Sequence, residues 1–423
     1  MQVFFQSLRQ RCHINTNRDG NCFVGIKVVD NIPQVHFPIG YNLPTDDNAV
    51  RQEILVLLKT LEKYADKKIL FAGSTTGESR IAPPVSVCLE IIQDFSERGG
   101  YYIESEYAYK KDVHGKINWS KTIKKLLPLP SSTGSPIYTQ YMIRKSPPAE
   151  KNLITQIHKF CVFECFSFLG WIFTAYTPEK PSIKFNKVLF LSTLISKLNT
   201  INNDRDKKLM GLLKMFVEQH DFESNASLNI YGTEHFEYVW EKIIDSVFGI
   251  RNKQDYFPKT QWCLRIGVNK FNAPLEPDSI MAYQGKIYIL DAKYYKFGVT
   301  GNIVDLPQTA SINKQITYGE YVAQKFFLNT PAAEKPIFNA FLMPFNAKNN
   351  TFGRSFVVEN IGEAIGLWKN NDSQKYERVQ GILIDTRYLV RCGINFDEKS
   401  ISYLATAIES VFLTSVPEVK EIS

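Results

Sequence analysis

The strongest constraint on this chain is the segment EPDSIMAYQGKIYILDAKYYKFG, residues 276–298. Two β-rich runs, SIMAY and KIYIL, flank Gln284-Gly285. A two-residue turn ending in glycine between such runs is a hairpin signature. Facing residues then lie symmetrically about the turn, which puts Asp278 directly across from Asp291. Side chains alternate along a strand, so Asp291 and Lys293 share a face while Ala292 points away. One hairpin thereby gathers two carboxylates and an ammonium on one side.

Two aspartates opposed in this way, with Cβ atoms about 5 Å apart, repel by some tenths of a kcal/mol on a bare sheet, and burial raises one pKa further. A divalent cation removes the conflict. Mg²⁺ is commonly held by one or two carboxylates, a carbonyl and several waters, so Asp278, Asp291 and the Ala292 carbonyl are the candidate metal ligands. Such an ion polarises a phosphate and activates water, and Lys293 is placed to orient that water and offset transition-state charge. The set points to Mg²⁺-dependent phosphodiester hydrolysis with Asp278, Asp291 and Lys293 as catalytic residues.

Neighbouring segments supply candidate supports. In HFEYVWEKIIDSVFG, the residues Phe236, Val239, Trp240, Ile243, Ile244 and Val247 form one apolar helical stripe. Glu237 sits at its edge and is the candidate third catalytic acid, with Glu234 and Glu241 further toward solvent. INKQITYGEYV (312–322) reads as a helix on which Gln315 and Tyr318, one turn apart, are placed to brace the catalytic strand or touch a DNA backbone. IFNAFLMPF (337–345) and RVQGILIDT (378–386) are apolar enough for central strands of the same sheet. No HExxH or histidine cluster is present, which argues against zinc hydrolysis. FAGSTTGES (71–79) lacks the Gly-Lys-Ser/Thr of a phosphate-binding loop, so the chain is not expected to bind ATP or GTP on its own.

With 423 residues, more than one core is expected. Residues 1–145 read as a β-rich N-terminal domain, with NCFVGIKVVD and IPQVHFPIGY as two strands and AVRQEILVLLKTLEKYA as a helix capped by Asp46 or Asp47. Six lysines (110, 111, 116, 121, 124 and 125) follow around Trp119, as a solvated face or a phosphate-contacting surface. LPLPSSTGSP (127–136) is the expected boundary. Residues 150–423 then form the second domain, with a helical lead-in over 150–225 and the catalytic core over 226–423. The whole is expected to be α/β, a mixed sheet flanked by helices. The net charge of +7 fits a nucleic-acid partner without requiring one. Seven scattered cysteines without a CxxC pair fit free thiols in a reducing cytoplasm. The most apolar run, CVFECFSFLGWIF, is shorter than the roughly 18 residues of a membrane span.

The ordered set GTEHFEYVWEKII, PDSIM, GKIYILDAKYY and LPQTASINKQITYGEY resembles the LlaJI-family restriction endonucleases, relatives of the McrC nuclease subunit of McrBC systems. The likeness covers mainly 231–325. It implies a restriction-endonuclease-like PD-(D/E)XK fold, Mg²⁺, and Asp278, Asp291 and Lys293 as catalytic residues. Asp291 stands where many such nucleases carry Glu. The resemblance also implies double-stranded DNA as substrate, a McrB-like AAA+ GTPase that engages residues 1–145, and dimerisation of nuclease domains on DNA. The rival expectations are a self-sufficient, sequence-specific endonuclease and a non-catalytic adaptor of an AAA+ motor.

Overall fold

The computed structural model describes residues 8–16, 21–29, 32–65, 85–103, 108–132, 134–145, 152–174, 176–219, 230–353, 356–369 and 374–413. The segment FAGSTTGES and the turn at Asp30-Asn31 lie outside them. Two compact units emerge: Met1–Thr76 together with Ile230–Ser423, and Gly77–Asn229. The expected division near 145–150 does not coincide with these units. Residues up to 65 pack with the C-terminal half, and LPLPSSTGSP lies inside the second unit. Its prolines flank a two-stranded hairpin, Leu129–Pro130 against Pro136–Ile137, rather than a linker.

In the first unit, strands β1 (Cys12–Ile14), β2 (Val24–Val29) and β3 (Ile32–Phe37) lead into helix α1 (Asp47–Tyr64). Asp46 caps α1, its carboxylate accepting from Ala49 N at 2.8 Å. The sheet order is β1-β3-β2-β4, where β4 (Ile230–Thr233) comes from beyond the second unit and pairs antiparallel with β2. The N-terminal strands therefore need a partner from the C-terminal half. Side chains tie them further. Glu53 of α1 is fully buried and meets the Tyr41 hydroxyl at 2.7 Å, Arg387 at 2.6 Å, and Arg391. The Ile39 N–H donates to the Tyr294 hydroxyl at 2.8 Å, one residue past Lys293.

Downstream come α2 (Phe236–Phe248) and a short ribbon of β5 (Gln261–Cys263) and β6 (Asn269–Phe271). Strands β7 (Ser279–Tyr283) and β8 (Lys286–Ala292) follow, then α3 (Thr309–Phe326), β9 (Ile337–Phe345), β10 (Val358–Ala364) and β11 (Val379–Asp385). Helices α4 (Thr386–Ile394) and α5 (Lys399–Leu413) close the unit. The five-stranded sheet runs β7-β8-β9-β11-β10. The outer pairs β7/β8 and β10/β11 are antiparallel, and β8/β9 and β9/β11 are parallel. Every residue of β9 is buried, as a strand covered on both faces requires. The α/β expectation with a mixed, helix-flanked sheet is met.

One face of this sheet packs under α3 through Ile280, Ile289, Ile337, Tyr318 and Val322. A Cβ on Gly319 would come within 1.9 Å of the Tyr376 carbonyl oxygen, so only glycine lets α3 lie this close. On the other face Tyr288 stacks on Phe338, which meets Phe412 of α5 edge-on. Trp240 of α2 is fully buried, its indole N–H donating to the Leu342 carbonyl at 3.2 Å.

The second unit is mostly helical: Val85–Arg98, Trp119–Lys125, Leu153–Leu169, Lys187–Leu198 and Asp204–Gln219, with a small sheet in which Tyr141–Lys145 lies between Ala108–Asp112 and Lys116–Ile117. The helical lead-in expected from the apolar spacing is present. Cys161 and Cys165 are buried free thiols, as their apolar surroundings predict. Among the described residues, no helix is long and apolar enough to cross a membrane.

Candidate active site

The β7/β8 hairpin has the expected register. Ser279 faces Leu290 and Tyr283 faces Lys286, so Gln284-Gly285 is the turn. Both turn residues have positive φ, 50° and 75°, the conformation of a type I′ hairpin. Asp278 lies one step beyond the last pair, opposite Asp291. Its Oδ2 accepts from the Ala292 N–H at 2.7 Å, which fixes the carboxylate against the end of β8.

The chemistry-bearing groups converge as the alternation requires. Asp291 is buried, and the Lys293 ammonium contacts its Oδ2. Asp291 Oδ1 is buried with no hydrogen-bond partner. Burial, and then the charge of Asp291, push the Asp278 carboxyl up to about 7, against the lowering effect of the Ala292 N–H. Burial works against the Lys293 ammonium, but Asp291 outweighs it and holds Lys293 above the ordinary lysine value. Asp291 thus raises the cost of ionising Asp278, and Lys293 lies against Asp291.

The two candidate acids of α2 have different surroundings. Glu237 pairs with His235 Nδ1 at 2.9 Å near the start of α2 and is partly solvent-exposed. Glu241, one turn on, interacts electrostatically with Lys293 and Asp291 of the hairpin. Its carboxyl is raised first by burial, while Lys293 pulls it down and Asp291 and Glu237 add repulsion. Its charge in turn acts on Asp278. Glu237 and Glu241 are both half-buried. Glu237, Glu241 and Asp245 are spaced four apart along one edge of α2.

Lys253 was not singled out by sequence. Its ammonium donates to the Asp278 carbonyl at 2.8 Å and pairs with Asp245 at 2.9 Å, bridging α2 to the residue that matters. An isolated lysine in a loop carries no periodic signal. Gln315 is buried and its Nε2 donates to the Ile289 carbonyl at 2.8 Å, so it braces β8 from α3. Tyr318 is a core residue under the hairpin. Its hydroxyl is buried with no hydrogen-bond partner, and its pKa is raised by burial and then by Asp291 and Asp278.

Among the described residues, no three His, Cys, Asp or Glu side chains form a ready-made metal cage. The donor set does fit a hard cation of the Mg²⁺ type, which takes two carboxylates and leaves water in its remaining positions. The buried, unpartnered Asp291 Oδ1 is the observation that fits such an ion.

Comparison with known proteins decides the family. The model for the LlaJI restriction endonuclease matches residues 23–361. The chain belongs to the LlaJI restriction endonuclease family. The match begins at β2 and runs through the second unit into β10, so it takes in the whole β7/β8 hairpin. A type II restriction enzyme BsuMI component, YdjA of Bacillus subtilis (strain 168), is 34% identical over 271 residues. That alignment covers 60% of this chain and 56% of the relative's own length. A complex of Thermococcus gammatolerans McrB AAA+ hexamers with bound McrC aligns over 89% of this chain and 82% of the matched chain, at 13% identity and a TM-score of 0.33. A likeness of that degree does not establish a shared fold.

Proposed function

We propose that this chain is the Mg²⁺-dependent nuclease subunit of a restriction system, cutting double-stranded DNA through a PD-(D/E)XK site at Asp278, Asp291 and Lys293. The observation that carries the reading is the buried, mutually repelling pair Asp278 and Asp291 on one hairpin with Lys293 beside them. An adaptor would have no use for that cost, which argues against the non-catalytic alternative.

In this reading Asp278, Asp291 and the Ala292 carbonyl hold Mg²⁺. When bound, the ion supplies Lewis-acid polarisation of the phosphate and a more acidic water. The protein's own groups do the rest. Asp278 is held in place by the Ala292 N–H and by Lys253 on its carbonyl, so its carboxylate need not reorganise. Lys293, whose ammonium contacts Asp291, would orient the attacking water and offset charge on the phosphate oxygens. Glu241 adds a third carboxylate at the rim, and Gln315 keeps β8 from shifting.

A McrB-like AAA+ GTPase is the proposed partner. The relative is described as one component of a restriction enzyme, which supports an assembly of several chains. No Gly-Lys-Ser/Thr triplet occurs in the sequence, so nucleotide-driven work falls to another subunit. Because residues up to 65 belong to the catalytic unit, docking is assigned to the unit at 77–229 rather than to 1–145. Nuclease chains brought together on such a motor would cut both strands. The test is nicking of supercoiled plasmid with Mg²⁺ or EDTA, by the chain alone and with a co-expressed AAA+ GTPase and GTP. Slow Mg²⁺-dependent nicking, accelerated by the motor, is expected. Full site-specific cleavage by the chain alone would favour the self-sufficient enzyme.

A further inference from the structure

Between the buried Phe257 and Asp278 the chain leaves the body of the first unit as a two-stranded ribbon. Trp262 pairs with Lys270 and Gln261 with Phe271. The tip closes tightly: Leu264 and Val268 are joined by a 3.0 Å backbone bond, and Gly267 takes the left-handed conformation at φ 82° that a three-residue hairpin loop requires. Every residue from Lys259 to Ala273 is exposed. A strand exposed on both faces projects from the surface rather than covering it.

Three features of the ribbon stand together. Its apolar side chains face water, with Trp262 62% exposed, Phe271 74% and the tip residue Ile266 80%. Clusters of that kind mark contact surfaces. Its charge is of one sign: Lys259, Arg265 and Lys270 are cationic, and no Asp or Glu occurs from Phe257 to Leu275. Its base is fixed to the active site. Asn272 N bonds to the Thr260 carbonyl at 3.0 Å and Leu275 N to the Pro258 carbonyl at 2.9 Å, so the ladder reaches to within three residues of Asp278.

We propose that this ribbon is a DNA-contacting element that lies in a groove of the duplex beside the scissile phosphate. A major groove about 12 Å wide admits two strands of this kind. Gln261, Cys263, Asn269 and Phe271 alternate onto one face, which presents two amides and an aromatic ring to base edges and sugars, while Arg265 at the tip and Lys270 at the flank reach phosphates. The occupant is a polyanion because the ribbon carries only positive charge, and it is the substrate duplex because the ribbon is rooted at the catalytic aspartate. The inference rests on the nuclease reading for its ligand, but its test needs no cleavage.

Cys263 lies in the ribbon and is exposed, while the other six cysteines are buried or half-buried. It is therefore a native reporter. In EDTA and low salt, a 30-base-pair duplex should slow maleimide labelling of Cys263 at least fivefold. The variant Arg265→Ala/Lys270→Ala should lose that protection while keeping the wild-type melting temperature, and its salt slope of DNA binding should be shallower by about two. Labelling unaffected by saturating duplex overturns the proposal. So does protection that appears without DNA and rises with protein concentration, which would make the ribbon a contact between copies. A protected Cys263 in a chain whose Asp291→Asn variant still cuts would leave the ribbon standing and remove the catalytic assignment. An unprotected Cys263 in a chain that cuts normally would do the reverse.

Discussion

Glu53→Gln tests whether the N-terminal segment is part of the catalytic unit. The Glu53 side chain is fully buried and takes hydrogen bonds from Tyr41, Arg387 and Arg391. Burial alone would raise its pKa, but these three partners outweigh burial and hold it below the usual carboxylate range. Removing one member of a buried ion pair costs about 3–5 kcal/mol, because the remaining charge is left uncompensated. Here the Arg387 and Arg391 side chains are 24% and 47% exposed and can recover some water, so the low end applies, about 3 kcal/mol. For a unit of this size that is a drop in melting temperature of roughly 6–10 °C. The pH dependence has a defined sign. A folded-state pKa below the unfolded value of about 4.3 gives stability that is complete above that pH and is lost as pH falls through the folded pKa. The gap between wild type and variant should therefore be full at pH 7 and shrink in acid. Thermal melting followed by circular dichroism at pH 7 and pH 3.5 measures it. A variant that melts with the wild type at pH 7 would mean that α1 and the strands before it do not stabilise the nuclease unit.

Three further outcomes follow from the site and the second unit. In EDTA at pH 8, Asp278→Asn should be more stable than wild type by about 1–3 kcal/mol, because a carboxyl raised to about 7 binds its proton more tightly when folded and loses stability as pH rises from about 4 through 7. Mg²⁺ should stabilise the wild type and not the variant, and equal Mg²⁺ shifts in a melting scan would place the ion elsewhere. Glu241→Gln should slow DNA cleavage about tenfold more than Glu237→Gln, since its charge reaches Asp278; the opposite ranking would return the role to Glu237. In the second unit, buried His158 accepts from the Tyr102 N–H at 2.8 Å and is held neutral, with burial lowering its pKa to about 4. Stability from that contact is complete above about 6.5 and is lost as pH falls to the folded value, and an NMR titration of His158 with a midpoint near 6.5 would contradict it.

The hairpin was legible because three local rules agree there: the Gln284-Gly285 turn, strand alternation, and facing residues disposed evenly about the turn. They put Asp278 against Asp291 without any knowledge of the rest of the chain. The strands IFNAFLMPF and RVQGILIDT were legible because fully buried parallel strands are continuously apolar. The division of the chain was not. A proline-rich stretch marks a linker or a tight hairpin equally well, and LPLPSSTGSP is the latter. Nothing local to Val24–Val29 announces that its edge partner is Ile230–Thr233, some 200 residues away. The stripe on α2 fixed the buried face but not which edge glutamate acts on Asp278, and Glu241 is the one whose charge does. Lys253 acts through one backbone carbonyl from a loop, where spacing holds no information.

The central claim is that Asp278, Asp291 and Lys293 form one metal-dependent hydrolytic site. Its most direct test is the rate of plasmid cleavage with Mg²⁺ and the AAA+ partner for wild type, Asp291→Asn and Lys293→Ala, each checked for an unchanged fold by circular dichroism. Both variants should lose activity by about three orders of magnitude or more while binding DNA as the wild type does. Cleavage by Asp291→Asn at the wild-type rate would contradict the account.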